Sequence, residues 1–176
     1  MQGQDQARPH RVAVISAGGW CEGTLSRVGP SADSRLFDVL RGAIGQGLTL
    51  RNAKSDRFGV SSELRVGGAY IEAVVDLENN VRPNRQFMAA RGLIPIHALT
   101  AGGAVIDGDL VIPMGGGLPD VTGDPSTDLR IVTDASVKTI GGRSIEHATL
   151  LLSLRHLVYF GKQDGPPALD RSDLIG

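Results

Sequence analysis

The chain has 176 residues, of which 41% are hydrophobic and 4% aromatic, and its 18 basic and 19 acidic side chains leave a net charge of −1. This predicts one domain with an aliphatic core, and the near-neutral charge argues against nucleic acid or an anionic membrane as a partner. One cysteine excludes an internal disulfide and a cysteine-based metal site, and no stretch resembles a signal peptide or a membrane span. We expect a soluble cytoplasmic protein without a metal site.

The first half of the chain predicts a strand, a helix and a hairpin. Residues 11–16 favour a strand, and residues 31–44 favour a helix with an apolar face. Residues 58–66 and 69–78 alternate between apolar and polar side chains around Gly67-Gly68, which predicts a hairpin. A polar loop follows.

The second half predicts a central helix and three strands. Residues 86–106 are rich in small side chains and suit a tightly packed helix, although Gly102-Gly103 costs roughly 2 kcal/mol of helix propensity. Residues 109–114 favour a strand. Residues 128–160 alternate in two long segments around a glycine turn, which predicts a long hairpin in an antiparallel sheet with one wet face. No internal repeat is apparent.

Four segments resemble the hot-dog acyl-CoA thioesterases of the phenylacetate-pathway type. They are Gly68-Ala69-Tyr70-Ile71-Glu72-Ala73-Val74-Val75, Arg91-Gly92-Leu93-Ile94, Asp109-Leu110-Val111-Ile112-Pro113 and Val137-Lys138-Thr139-Ile140-Gly141-Gly142-Arg143-Ser144-Ile145. Their order and spacing are similar to that family over residues 34–162. Where the family commonly places His-Gly-Gly, this chain has Ile94-Pro95-Ile96.

The resemblance implies an α+β hot-dog fold, in which an antiparallel sheet wraps a central helix. It divides the chain into an N-terminal extension with a short strand (1–33), a hot-dog-like domain (34–162) and a flexible C-terminal tail (163–176). It also implies an acyl-CoA thioester hydrolase or a related thioester-binding enzyme, acting as a homodimer or homotetramer. Coenzyme A would enter only as part of the substrate, and no other cofactor is expected.

The candidate catalytic residues surround the expected central helix. His97 is a candidate general base, because imidazole titrates near neutral pH, and Asp107 is a candidate for activating water. If the helix begins at Gly92 and Leu93, their free amides would polarise a thioester carbonyl. The alternative interpretation is a partly buried histidine, an Asp-Gly turn and an ordinary helix start.

The candidate substrate-binding residues are polar side chains in two places. Arg82, Asn84 and Arg85 form a donor-rich cluster before the expected helix, suited to a carboxylate or phosphate. Lys138 and Arg143 flank the predicted hairpin turn, where cations would meet the phosphates of coenzyme A. The alternative interpretation is a polar loop and solvated strand ends.

A second function remains open, that of a non-catalytic binding protein for a small apolar ligand. Its scaffold would be the same hot-dog fold without catalytic groups, or a lipocalin-like closed β-barrel. Residues 86–106 discriminate between the scaffolds, because a central helix requires the hot-dog fold and an extended segment favours the barrel.

Overall fold

A computed structural model describes residues 10–25, 40, 46–78, 80–117 and 129–162. Its strands, in chain order, are β1 (His10–Ser16), β2 (Gly19–Leu25), β3 (Leu48–Ser55), β4 (Gly59–Val66), β5 (Ile71–Asp76), β6 (Arg91–Thr100), β7 (Val105–Pro113), β8 (Leu129–Lys138), β9 (Ser144–Ser153) and β10 (Leu157–Lys162). One short helix, α1 (Arg85–Met88), precedes β6. Single 3-10 turns at Gly68–Tyr70 and Leu154–His156 precede β5 and β10.

All ten strands form one antiparallel sheet in the order β10-β6-β7-β8-β9-β5-β1-β2-β3-β4. Neighbouring strands in this order are hydrogen-bonded, and the two ends of the series, β10 and β4, are not paired with each other. Within the described residues the sheet is therefore open, with β10 and β4 as its edges.

The predicted hot-dog fold is wrong, because the expected central helix is a hairpin. Residues 91–100 and 105–113 form β6 and β7, paired along their length from Arg91↔Pro113 to Leu99↔Val105. Ile96, Ala98 and Thr100 are buried while the residues between them are half-buried, a period of two that only a strand gives. The alternative of a closed lipocalin-like barrel is also wrong, because β10 and β4, the two ends of the sheet that the described residues form, are not paired.

The two predicted hairpins have different outcomes. The long one is confirmed as β8 and β9, paired from Leu129↔Ser153 to Lys138↔Ser144, although a 3-10 turn at Leu154–His156 separates its end as β10. The earlier one is wrong, because β5 pairs with β1 and β9 and not with β4. The predicted strand near the N-terminus is confirmed as β1. The predicted helix at 31–44 lies outside the described residues except for Leu40, which is buried in the core.

The chain contains an internal structural repeat, so the expectation that there is none is wrong. Residues 10–76 (repeat A) form β1 to β5 and residues 91–162 (repeat B) form β6 to β10. Each repeat is a four-strand meander followed by a 3-10 turn and a fifth strand that pairs with the first. The order is β5-β1-β2-β3-β4 in repeat A and β10-β6-β7-β8-β9 in repeat B. A single joint, between β5 and β9, makes the two repeats one sheet.

The irregularities of the two repeats coincide residue by residue. Pairing of the first and fifth strands skips one residue at Glu72 in repeat A and at Val158 in repeat B. Pairing of the second and third strands shifts at Gly23 and at Gly108. The third strand holds a left-handed residue at the equivalent position, Asn52 with φ 48° in repeat A. In repeat B this residue is Asp134, with φ 49°. β-Bulges of this kind are specific local structures, so their coincidence shows that the two repeats share one backbone structure.

Two hydrophobic cores lie on opposite faces of the sheet. Core A consists mainly of repeat A side chains: Val12, Val14, Cys21, Leu25, Leu40, Leu48, Leu50, Ala53, Ile71 and Val74, joined by Leu129 and Leu151. Core B consists mainly of repeat B side chains: Ile96, Ala98, Ala104, Ile106, Leu110, Ile112, Val132, Ala135, Val137, Leu150 and Leu152. Repeat A adds Ala13, Ile15, Trp20, Ala73 and Val75 to core B. Strands β1 and β5 are therefore buried on both faces.

Candidate functional site

A polar cluster occupies the outer face of repeat B, opposite core B. His97 on β6 and Asp107 on β7 are directly paired in register. The Nδ1 atom of His97 is hydrogen-bonded to a carboxylate oxygen of Asp107. Their side chains are 33% and 28% exposed, so solvent reaches both. The two residues that the sequence singled out separately thus form one site.

An aromatic side chain completes this cluster. The ring of Tyr159 on β10 meets the His97 ring edge to face, with centroids 6.3 Å apart. Tyr159 is 57% exposed, so the site lies on an open surface of the sheet. Nothing in the sequence pattern indicates Tyr159, because alternation does not show which strand lies beside β10.

The pair has the geometry of an oriented base. A carboxylate bound to one imidazole nitrogen fixes the ring and leaves the other nitrogen to accept a proton. His97 therefore has the arrangement needed to activate water, with Asp107 as its orienting partner. The pair can equally serve as a structural cross-strand contact.

Gly92 and Leu93 do not have their predicted role. They lie within β6, paired with Ile112 and Val111, and no helix begins there. Their predicted assignment as helix-start amides is therefore wrong, because the helix on which it depended is a strand.

The three residues of the predicted donor cluster have separate environments in the structure. Arg82 donates two hydrogen bonds, of 3.0 and 2.6 Å, to the carboxylate of Asp134. Asp134 is the residue of β8 with left-handed backbone conformation. Asn84 caps α1 by accepting a hydrogen bond of 2.7 Å from the amide of Phe87. Arg85 is an exposed residue at the start of α1.

The two cations predicted to bind phosphate have different environments in the structure. Lys138 is exposed at the end of β8. Arg143, in the β8–β9 turn, forms an ion pair of 2.8 Å with Asp56 in the β3–β4 turn, and its guanidinium lies 5.6 Å from the centroid of the Trp20 ring. Arg143 therefore links repeat B to repeat A.

A buried carboxylate lies near the joint between the repeats. Glu72 on β5 is 1% exposed, and one of its oxygens accepts a hydrogen bond of 2.5 Å from the amide of Gly102, in the β6–β7 turn. Its other oxygen has no hydrogen-bond partner among the described residues. Sequence reasoning missed this residue, because strict alternation placed it on the solvent face of a strand.

Comparison of the chain with protein-family models, curated proteins and solved structures finds no match. In the part of the chain that the structure describes, no helix has the length and apolarity needed to cross a membrane. The same residues contain no group of three or more His, Cys, Asp or Glu side chains placed to hold a metal.

Proposed function

We propose that the protein is a non-catalytic binding protein that takes up extended protein segments along the open edges of its sheet. The observation that carries this proposal is the state of β4 and β10, each of which pairs with only one described strand. The unpaired side of such a strand presents backbone N–H and C=O groups to an incoming strand.

The side chains at these edges support strand binding. Val60 on β4 is 82% exposed, and Val158 and Tyr159 on β10 are 69% and 57% exposed. Both edges also carry exposed charges, Glu63 and Arg65 on β4 and Lys162 on β10. Charges on natural edge strands oppose indiscriminate pairing, so the exposed apolar side chains favour a partner strand whose charges match.

The joint between β5 and β9 shows that a strand equivalent to β10 pairs with a strand of the other repeat. Strand β5, the equivalent of β10, accepts β9 as an antiparallel neighbour through Ala73↔Leu152, Val74↔Leu151 and Val75↔Leu150. An edge of the same backbone geometry is therefore suited to the same kind of contact.

The test uses a fluorescent peptide with the β9 sequence, residues 144–153, titrated with the full chain and followed by anisotropy. We expect saturable binding that Tyr159→Asp weakens at least about tenfold, because a charge desolvated on a sheet edge opposes pairing. Ile140→Asp is the matched control, because Ile140 is 71% exposed in the β8–β9 turn, away from both edges. An unchanged anisotropy at about 100 µM protein contradicts the proposal.

The pairing of His97 with Asp107 favours a second candidate function, hydrolysis of an acyl thioester with His97 as general base. The assay is release of free thiol from short, long and aromatic acyl-CoAs. Loss of a general base lowers the rate by about 10²–10⁴-fold, so His97→Gln and Asp107→Asn should both abolish release while His156→Gln retains it. Release that is unchanged in His97→Gln excludes this candidate.

A further inference from the structure

We propose that the strand bound at the open edges belongs to a second copy of this chain, with β10 of one copy pairing antiparallel with β4 of the next. This inference rests on the strand-binding function proposed above, and it names the partner and the register. It is carried by the internal repeat, because β10 and β4 are the equivalents of β5 and β9, the two strands that are already joined within one chain.

The repeat fixes the register of the contact between copies. Position for position, Ala73, Val74 and Val75 of β5 correspond to Tyr159, Phe160 and Gly161 of β10, because both sets follow the same 3-10 turn and the same bulge. In the same way Leu150, Leu151 and Leu152 correspond to Leu64, Arg65 and Val66. Transferring the pairs of the internal joint therefore gives Tyr159↔Val66, Phe160↔Arg65 and Gly161↔Leu64.

The side chains brought together by this register are complementary. Tyr159 meets Val66, an aromatic and β-branched pair that is favourable across strands. Phe160 meets Arg65, which allows the guanidinium to lie on the ring. One position further along, Lys162 meets Glu63, two exposed residues of opposite charge.

The contact would also cover exposed surface on both repeats. In the internal joint, Ala73 and Val75 point into core B. Their counterparts on β10 face away from core B, and the register directs Tyr159 of one copy toward Leu64 and Val66 of the next. Those two side chains are only partly buried at the margin of core A. The proposed contact therefore completes core A as the internal joint completes core B.

The contact between copies is predicted to be weaker than the internal joint. Arg65 replaces Leu151, and the half-buried His97 replaces Ala13, which is fully buried beside the joint. More polar contact surfaces typify reversible association. Because the contact joins two different edges, it is heterologous, and repeated copies form either a closed ring or an open filament.

The test is sedimentation of the full chain over a range of concentrations, combined with charge reversal at the edges. We expect association that Glu63→Lys and Lys162→Glu each weaken about three- to tenfold, and that the double variant restores to within about twofold, because the reversed charges again face each other. Glu146→Lys is the control, because Glu146 is exposed on β9 away from both edges. Circular dichroism confirms that each variant is folded.

The other outcomes overturn the proposal and separate it from the function on which it rests. A chain that stays monomeric but binds the β9 peptide shows that the edges take up strands from a different protein. A chain that is monomeric and binds no peptide contradicts both proposals. Association that neither charge reversal weakens shows that copies meet through another surface.

Discussion

The two repeats have the same strand order and the same bulges but different outer faces. Ala13 and Ile15 on β1 are 0% and 1% exposed, because the core side chains of repeat B pack against that face of β1. Their equivalents on β6, His97 and Leu99, are half-buried. The same backbone therefore accommodates either an apolar or a polar outer face. The face is apolar in repeat A, where core B packs against it, and partly polar in repeat B.

The largest effect should separate Ile15 from Leu99. Ile15→Ala leaves a cavity in core B and should lower the free energy of unfolding by roughly 2–5 kcal/mol. Leu99→Ala removes a partly buried side chain and should cost about 1 kcal/mol at concentrations at which the chain is monomeric. Urea unfolding of the full chain measures both values. Equal losses would show that the outer faces of the two repeats are buried alike.

The equivalent glycines Gly23 and Gly108 have differently crowded surroundings. A Cβ on Gly108 would lie 2.7 Å from Val132 Cγ1 and 2.9 Å from the Thr133 carbonyl oxygen, whereas one on Gly23 would lie 3.0 Å from the Arg51 carbonyl oxygen. Overpacking of this kind costs about 1–3 kcal/mol, so Gly108→Ala should lower the melting temperature more than Gly23→Ala.

Gly141→Ala is the matched control for both glycine variants. A Cβ there would meet only the Thr139 hydroxyl, at 3.9 Å, in an exposed turn. Its melting temperature should equal that of the unchanged chain. A smaller loss for Gly108→Ala than for Gly23→Ala would show that the bulge of repeat B relaxes more easily.

A smaller effect is expected where Arg143 links the repeats. Arg143→Ala removes the ion pair with Asp56 and the contact with the Trp20 ring, and both partners belong to repeat A. The side chain is 38% exposed, so the loss should be about 1 kcal/mol. Lys138→Ala, at an exposed strand end, should be neutral. Equal unfolding midpoints for the two variants would show that this link adds nothing to the joint.

The smallest effect at neutral pH concerns Cys21, whose equivalent in repeat B is Ile106. Burial, with a contribution from Asp56, raises the pKa of the Cys21 thiol to about 11 from 9.0. The native thiol should therefore react slowly with a disulfide reagent at about pH 8 and rapidly in urea, because the thiolate is the reactive form.

The same shift predicts a loss of stability at high pH. Between pH 9.0 and about 11 the unfolded thiol releases its proton while the folded thiol keeps it. The unfolded state then binds fewer protons, so the free energy of unfolding falls as pH rises through this window. Cys21→Ala should remove that part of the pH dependence. An identical slope in both proteins would contradict the raised pKa.

Local patterns predicted strands well and their neighbours poorly. Alternation in residues 129–138 and 144–153 was sufficient to predict the β8–β9 hairpin, because a short turn makes adjacent strands pair. Alternation around Gly67-Gly68 predicted another hairpin, but the 3-10 turn at Gly68–Tyr70 carries β5 across to β1. Sequence periodicity carries no information about which distant strand will be the partner.

The prediction of a central helix and the prediction of no internal repeat were wrong for related reasons. Small side chains between Gln86 and Ile106 predict a packed helix, whereas the period of two is visible only in the burial of Ile96, Ala98 and Thr100 in the structure. The repeat leaves only a faint trace, an acidic residue, glycine, any residue and leucine at residues 22–25 and 107–110. What the repeats share is backbone geometry, which many apolar sequences satisfy.

The sequence predicts which residues are candidates for the site, but it does not predict that they are in contact. His97 and Asp107 were chosen for their chemistry, but they are ten positions apart, and only a hairpin turn between them brings them together. The same limit applies to the open edges, because an edge is defined by the strand that is missing beside it.

The joint between β5 and β9 also affects how the chain folds as it is made. Ala73 and its partner Leu152 are roughly 80 residues apart, so at synthesis rates of about 5–20 residues per second β5 waits several seconds for its second neighbour. During that interval repeat A exposes Ala13, Ile15 and Val75, which belong to a core not yet synthesised. A nascent chain halted before residue 144 should therefore bind chaperones that the released protein does not.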